Sequence, residues 1–406
     1  MKRMPTSPPA TAPTGALSHL RVVEMGQLIA GPFCGQLLGD QGAEVVKIEL
    51  PGRGDPMREW GRGDQPLWWE VIARNKKSVS LDLRLPQGQA LARQLIAKAD
   101  VLIENFRPGT LEKWNLAPAQ LHQDNPRLVI VRVSGFGQDG PYADRAGFGG
   151  IGEAMGGWRH IVGDPDRPPS RMGVSIGDAL AATYGALGAL AALQHRDRTG
   201  QGQVVDASLY ESVLQVMESQ VIDYDVMGYT RERSGSILPG IAPSNVYPAK
   251  DGDYVIGANQ DTVFTRLCQA MGRPELAIHP DYCNHVQRGR HQQALDKEIA
   301  RWTATLTLAE LEQAMTAAGV PAGRIYRPKE MLEDPHFAAR EAITQVAHPR
   351  LGQVRMQNVF PRLSQTPGRV RSVAPQSVGE HNAEVYGQWL GLQADALQVL
   401  TNKGVI

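Results

Sequence analysis

The feature that most constrains this chain is the repeated alternation of short apolar runs with helical segments through its N-terminal half. LRVVEM (20–25) reads as a buried strand. GPFCGQLLGDQG follows, with Pro32 suited to a first helical turn and Gly42 to the position just past a helix end. AEVVKIEL (43–50) is the next strand, and the three pieces form a βαβ unit. SVSLDL, the helical GQALARQLIAKA and DVLIEN repeat the theme, and RLVIVRV (127–133) adds a further strand. Strands alternating with helices predict an α/β fold whose largely parallel sheet is covered on both faces. At 406 residues the chain has room for two or three domains of roughly 150 residues each.

The texture then changes. Gly, Pro and Asp crowd residues 147–177, a long connection expected to be functional or disordered. DALAATYGALGALAALQHRDRTGQG (178–202) is a helix whose Ala and Gly imply close packing on neighbouring backbone, and QVVDASL restarts strand structure. SNVYPAKDGDYVIGAN reads as a hairpin with Asp-Gly at its turn. Helical stretches follow at 262–271 and 291–317. These place a small domain at 230–330, with a large domain built from 17–229 and 331–406 and a helix near 381–400 at its end. The first sixteen residues, MKRMPTSPPATAPTGA, lack an apolar core for a signal peptide and are expected to form a disordered tail.

Charge and motifs exclude several classes. With 42 basic and 42 acidic residues the net charge is zero. Neither a nucleic-acid footprint nor a polybasic membrane patch is present. No apolar run is expected to reach the ~18 residues of a membrane span. Cys34, Cys268 and Cys283 are odd in number and form no CxxC pair, which suits a reduced cytoplasmic protein. HExxH, paired Cys/His, P-loop and GxSxG motifs are missing, so metal, nucleotide-triphosphate and serine-hydrolase chemistry lack support. Gly135–Gly140 and Gly147–Gly152 both fit GxGxxG. Pro141 follows the first where a helix should open, so tight turns and close backbone approach are the better reading. Such a loop can still hold a phosphate or thioester through exposed backbone N–H groups.

Asp178 is the sharpest candidate for chemistry. It follows Gly177 at the start of the apolar helix. Read plainly, it is an N-cap whose carboxylate complements the helix dipole. Read chemically, it is a nucleophile held ionised beside small neighbours, Ser175 and Gly177, that leave room for an activated acyl group. The two roles are compatible. Glu49, Arg58 and Arg62 read as loop charges. Lys76, Lys77, Arg107 and Lys113 suit either solvation or the phosphates of a nucleotide-like ligand.

Taken in order, AGPFCGQLLGDQGAEVVKIELPGRGDPMR, RNKKSVSLDL, ADVLIENFRPGTLEKW, NPRLVIVRVSGFGQDGPYADRAG and PSRMGVSIGDALAATYGALGALAALQHRDRTGQGQVVDASL resemble the class III CoA-transferase family. The likeness is strong over about 20–220. It implies a Rossmann-like large domain and a small α+β domain in an interlocked homodimer. It also implies no permanently bound cofactor, with coenzyme A and a free carboxylic acid as substrates. The family nucleophile falls on Asp178, which would pass through a mixed anhydride and an enzyme–CoA thioester. CoA contacts are implied at Gln27 to Ala30, Leu50, Ile72, Ala73, Arg74, Asn75, Asn105, Phe106, Lys113, Ser134, Gly135, Phe136 and Gly137. Leu50 departs from the basic residue often found there. Related racemases carry a histidine in a Gly-His-Asp segment, and here that segment is Gly147-Phe148-Gly149, which favours transfer over α-proton exchange. Within the family the chain looks most like enzymes that take CoA from succinyl-CoA to short dicarboxylic acids. A second carboxylate on the acceptor needs a cationic or N–H-rich partner, for which Arg159, His160, Arg171 and Gly240 are the candidates. The Gly-rich loops 147–157 and 234–240 are expected as lids. Racemisation, intramolecular CoA transfer and non-catalytic CoA binding are the rival readings.

Overall fold

The computed structural model describes residues 15–63 and 65–406. The expected N-terminal tail therefore lies almost wholly outside the described residues. The chain divides into two compact units: the part up to Trp158 with Met172–Asp225 and Ala339–Ile406, and Arg159–Arg171 with Val226–Ala338.

In the first unit the chain runs β1 (Arg21–Glu24), α1 (Ala30–Asp40), β2 (Glu44–Glu49), α2 (Trp68–Ile72), β3 (Lys76–Ser80), α3 (Pro86–Ala97) and β4 (Val101–Glu104). It continues through α4 (Thr110–Lys113), α5 (Pro118–Asp124), β5 (Val129–Ser134), α6 (Gly149–Met155), α8 (Ile176–Thr199), β6 (Val204–Ser208) and α9 (Leu209–Leu214), while α7 (Trp158–Ile161) and α10 (Gln220–Met227) run across the boundaries into the second unit. The six strands lie in the order β3-β2-β1-β4-β5-β6, all parallel. This is a doubly wound sheet with its chain reversal between β1 and β4, where such sheets bind ligands beyond the strands' carboxyl ends. Both faces are covered, as the uninterrupted apolar strands require. One core packs Val23, Leu102 and Ile130 against α3 and α5 residues and against Tyr386 and Trp389. The other packs Val22, Ile103 and Val131 against α1 and α8.

Helix α8 is long and apolar enough to cross a membrane by length and composition alone, contrary to the reading that no such run exists. Ala181, Ala182, Gly185, Ala189 and Ala192 are buried along its length, and a methyl group on Gly185 would lie 3.2 Å from Val131. These small residues let it lie flat on the sheet as a core helix.

In the second unit, β7 (Ser244–Ala249), β8 (Gly252–Gly257) and β9 (Ala322–Arg324) form an antiparallel sheet, with α11 (Asp261–Ala270), α12 (His285–Arg290), α13 (Gln292–Thr303) and α14 (Leu308–Ala318) packed around it. The helical stretch read over 291–317 is two helices, because Thr307 and Glu310 form a reciprocal capping box that starts α14. Beyond α15 (Pro328–Glu333) and α16 (Pro335–Ala339), the hairpin of β10 (Ile343–His348) and β11 (Gly352–Gln357) leads to α17 (Asn382–Leu390) and α18 (Ala394–Asn402). This tail binds the β3 edge of the first unit: Tyr386 Oη donates to Ser80 O at 2.9 Å, and Asp82 N to Val405 O at 2.8 Å.

Candidate active site

At the β1/β4 reversal the two strand ends are tied by side chain to backbone. Gln27 N donates to Asn105 Oδ1 at 2.8 Å, and Asn105 Nδ2 donates to Gln27 O at 2.9 Å. Leu28 takes φ +63°, an unusual conformation for a branched residue. A buried charge cluster holds it: Asp55 Oδ1 accepts from Leu28 N at 3.1 Å, and Lys47 Nζ lies 2.7 Å from Asp55, 3.0 Å from Glu24 and 2.8 Å from Gly26 O. Burial favours the neutral amine of Lys47, but the carboxylates of Glu24 and Asp55 outweigh it and hold the ammonium charged beyond its usual range. The chain at Gln27 is thus fixed from beneath by ions that cannot relax toward water.

Above it lies a cleft of about 150 Å³ whose lining includes Gln27, Leu50, Leu81, Arg84, Phe106 and Trp114. Its volume is well below the ~300–1,000 Å³ of drug-sized pockets, so it accommodates one ring system rather than a whole dinucleotide-sized ligand. Phe106 and Trp114 meet edge to face at 5.0 Å. Arg84 sits at the rim, held by Asp82 through Nε and Nη2 at 2.8 and 2.7 Å.

The structure brings Gln27, Leu50 and Phe106 together in this cleft, and Asn105 behind them. Ala30 is buried at the start of α1. Lys113 is exposed at the end of α4, one residue before Trp114. Ile72, Ala73, Arg74 and Asn75 are placed elsewhere. They precede β3 and so sit at the amino edge of the sheet, all buried. Arg74 and Asn75 are engaged by Asp40, and Asn75 also binds the backbone at Arg369 and Arg371. The residues that β3 does deliver to the cleft are Leu81 to Arg84, which the motif reading missed. The usable signal was positional: they follow the strand's carboxyl end, where a doubly wound sheet opens its crevice.

The loop after β5 continues the same edge. Ser134 Oγ accepts from Gly137 N at 3.0 Å and Gly137 takes φ +93°. A methyl group on Gly135 would lie 3.0 Å from the Gly147 Cα, so the two Gly-rich segments pack backbone to backbone. Gly147 then leads into α6. The expected lid over 147–157 is mostly this helix, because its glycines are packing contacts. Methyl groups at Gly152 and Gly156 would both come within 2.6 Å of side chains of α9, Leu209 and Val213.

Asp178 occupies the first turn of α8, half-buried. It is not the N-cap, as read from the sequence: the cap position is Ser175, and Asp178 is the third helical residue. Its carboxylate still lies in the positive field of the helix start. It rests directly on Gly149, the first residue of α6, where an added methyl would fall 2.1 Å from Asp178 Oδ2. Gly177 is confined too, though less, with Gly149 O 3.0 Å from where its methyl would stand. Buried Glu153, one turn along α6, accepts from Gly177 N at 3.5 Å. The arrangement seats the Asp178 carboxylate in the first turn of α8 against Gly149 of α6, with buried Glu153 on the same helix start. A carboxylate so held is of the type that attacks an acyl carbon brought to it.

The acceptor-side candidates belong to the second unit. His160 Nε2 lies 3.3 Å from Glu232, and His160 O accepts from Arg233 at 3.0 Å. Arg159 precedes it in the same turn, and Arg171 is exposed at the end of the Arg159–Arg171 segment. Gly240, at φ +76°, donates its N–H to Gln292 Oε1 at 3.2 Å, and Gln292 also binds Leu238 O, so the 234–240 loop is pinned to α13.

A doubly wound sheet with a ring-sized cleft at its reversal and a carboxylate seated on glycine at a helix start is compatible with an enzyme that handles an activated acyl group on a nucleotide-like carrier. The chain belongs to CoA-transferase family III, whose model matches residues 17–382. It is 58% identical to the succinyl-CoA–D-citramalate CoA-transferase of Chloroflexus aurantiacus, over 97% of this chain and 99% of that protein. It is 35% identical to the succinate–glutarate CoA-transferase of Agrobacterium fabrum, over 92% and 95%. The structure of a CaiB/BaiF family protein from Brucella suis superposes with a TM-score of 0.82 at 33% identity, covering 93% of this chain and all of that one.

Proposed function

We propose that this chain transfers coenzyme A from succinyl-CoA to a short hydroxy-dicarboxylic acid of the citramalate type, with Asp178 as the nucleophile. The observation that carries the reading is the seat of Asp178 on Gly149 at the start of α8. An Asp178 oxygen adds to the thioester carbonyl, and the C–S bond breaks to give a succinyl–aspartyl anhydride and CoA thiolate. The thiolate attacks the aspartyl carbonyl, releasing succinate and leaving an aspartyl–CoA thioester. The acceptor carboxylate displaces the thiolate to form a second anhydride. The thiolate then takes the acceptor's acyl group and restores Asp178. No net proton or electron is exchanged, so the site needs a carboxylate and exclusion of water rather than an acid–base pair. Phe148 stands where the related racemases have histidine, which favours transfer over racemisation.

The acid is the relative's name applied here as a proposal, supported by 58% identity over nearly the full length of both chains. The test is an acyl-exchange screen of succinyl-CoA with citramalate, malate, itaconate, mesaconate and glutarate, read by mass spectrometry. A citramalyl-CoA product is expected to dominate. Malyl-CoA or glutaryl-CoA in its place would move the acceptor assignment, and no exchange with any acid would sink the reading.

The same proposal includes a homodimer and a reducing, cytoplasmic setting. Helix α10 buries no residue, while Val221, Ile222, Tyr224, Val226 and Met227 are each more than 60% exposed. An apolar surface of that kind on a monomer marks an interface, and a second copy of this chain is the proposed cover. Light scattering should give twice the 44.2 kDa chain mass; a monomer at micromolar concentration would refute the dimer. All three cysteines are free and two are buried, which supports the reducing compartment.

A further inference from the structure

The segment from Asn105 to Trp114 brings the two aromatic rings, Phe106 and Trp114, to the cleft wall, yet no sheet ladder holds it. It begins where β4 ends and crosses Pro108 and Gly109, the latter at φ +82°. Leu111 anchors its middle in the core. Besides the Asn105–Gln27 hydrogen bonds at its start, one guanidinium ties its two ends together. Arg132, the β5 neighbour of Glu104 in the sheet register, is 6% exposed. Its Nε donates to Glu104 Oε1 at 2.7 Å, and its Nη1 donates to Glu112 Oε1 at 2.9 Å. Glu104 uses its other oxygen to accept from Phe106 N at 2.7 Å. Glu104 thus stands at the start of the segment, Glu112 near its end, and Arg132 joins them from the next strand.

We propose that Arg132 is a positioning residue for the coenzyme A cleft: by bridging Glu104 and Glu112 it sets the loop that presents Phe106 and Trp114, and thereby the affinity for the CoA moiety. This deepens the transferase reading and rests on it for the ligand. A planar fork with donors on two sides can serve both carboxylates at once, whereas a lysine ammonium on a flexible stem cannot hold both in fixed directions. The geometry also separates this role from a purely structural ion pair. The Glu104–Arg132 contact is buried and serves the fold. The Glu112 contact is at the surface, where Glu112 is 40% exposed at its side chain, and its removal leaves no buried charge without a partner.

The test measures coenzyme A binding by calorimetry on full-length protein, with steady-state kinetics alongside. Glu112→Gln keeps the buried pair and should fold. Its Kd for coenzyme A is expected to rise about tenfold, with the KM for the acyl-CoA donor rising in step, the KM for the acid unchanged and kcat within about twofold. Arg132→Lys should show the same split, and adding Glu112→Gln to it should bring no further loss, because both act through one bridge. A Kd shift under about twofold in Glu112→Gln, or losses that simply add in the double variant, would overturn the proposal. So would a matching change in kcat and in both KM values. Binding of coenzyme A is read without turnover, so a wild-type protein that binds it but transfers nothing defeats the transferase reading while leaving this test intact.

Discussion

Asp178→Ala should remove CoA transfer by about 10⁴-fold or more, the scale on which loss of a covalent nucleophile is felt. The fold should barely register the change. Because Asp178 is the third residue of α8 rather than its cap, the charge–dipole part of the loss is ~0.3–1 kcal/mol. The first turn also keeps the Glu153 contact to Gly177 N. The melting temperature is therefore expected to move by no more than a few degrees. Asp178→Asn should behave alike, since a neutral amide cannot form the anhydride. Incubating wild-type protein with succinyl-CoA and trapping the aspartyl–CoA thioester by mass spectrometry locates the adduct. An adduct on another residue, or substantial transfer by Asp178→Ala, would show that the nucleophile lies elsewhere.

Gly149→Ala should cost about 10²-fold in kcat, although a single methyl is added and no reacting group removed. The methyl would fall 2.1 Å from Asp178 Oδ2 and 2.8 Å from its Cγ, closer than any real contact. Two responses are open: the carboxylate rotates away, or α6 shifts. The first is cheaper, since α6 is locked to α9 through Gly152 and Gly156. A displacement of about 1 Å at a nucleophile is enough for a loss of that size. Stability should hold or rise slightly, because alanine is the better helix former. Loss of activity with an unchanged or higher melting temperature is the expected result. Retained activity would mean that Asp178 reacts from a different rotamer, and parallel loss of activity and stability would mean that α6 had moved instead.

Much of the architecture could be read from residue pattern. The strands at 20–25, 43–50, 100–105 and 127–133 are short apolar runs bounded by turn residues, and their alternation with helices leaves a parallel sheet as the economical packing. The glycine-rich stretch after 147 resisted that reading for a physical reason. Glycine has low helix propensity, yet Gly149, Gly152 and Gly156 form or bound a helix because each is pressed against another element where a side chain would not fit. Tertiary contact overrides propensity there. Leu81 to Arg84 were missed for a related reason: nothing in their local sequence distinguishes them, and only their place beyond the carboxyl end of β3 puts them in the cleft.

By itself, then, the amino-acid order determined the alternating elements, the covered parallel sheet, and the carboxylate at a helix start, because each follows from local periodicity and short-range chemistry. Strand order, the crevice it opens between β1 and β4, the burial of Ile72 to Asn75 at the far edge, and the contact of Asp178 with Gly149 were decided only by the tertiary structure. These depend on which distant segments meet, and chain spacing carries no record of close packing between residues 29 positions apart.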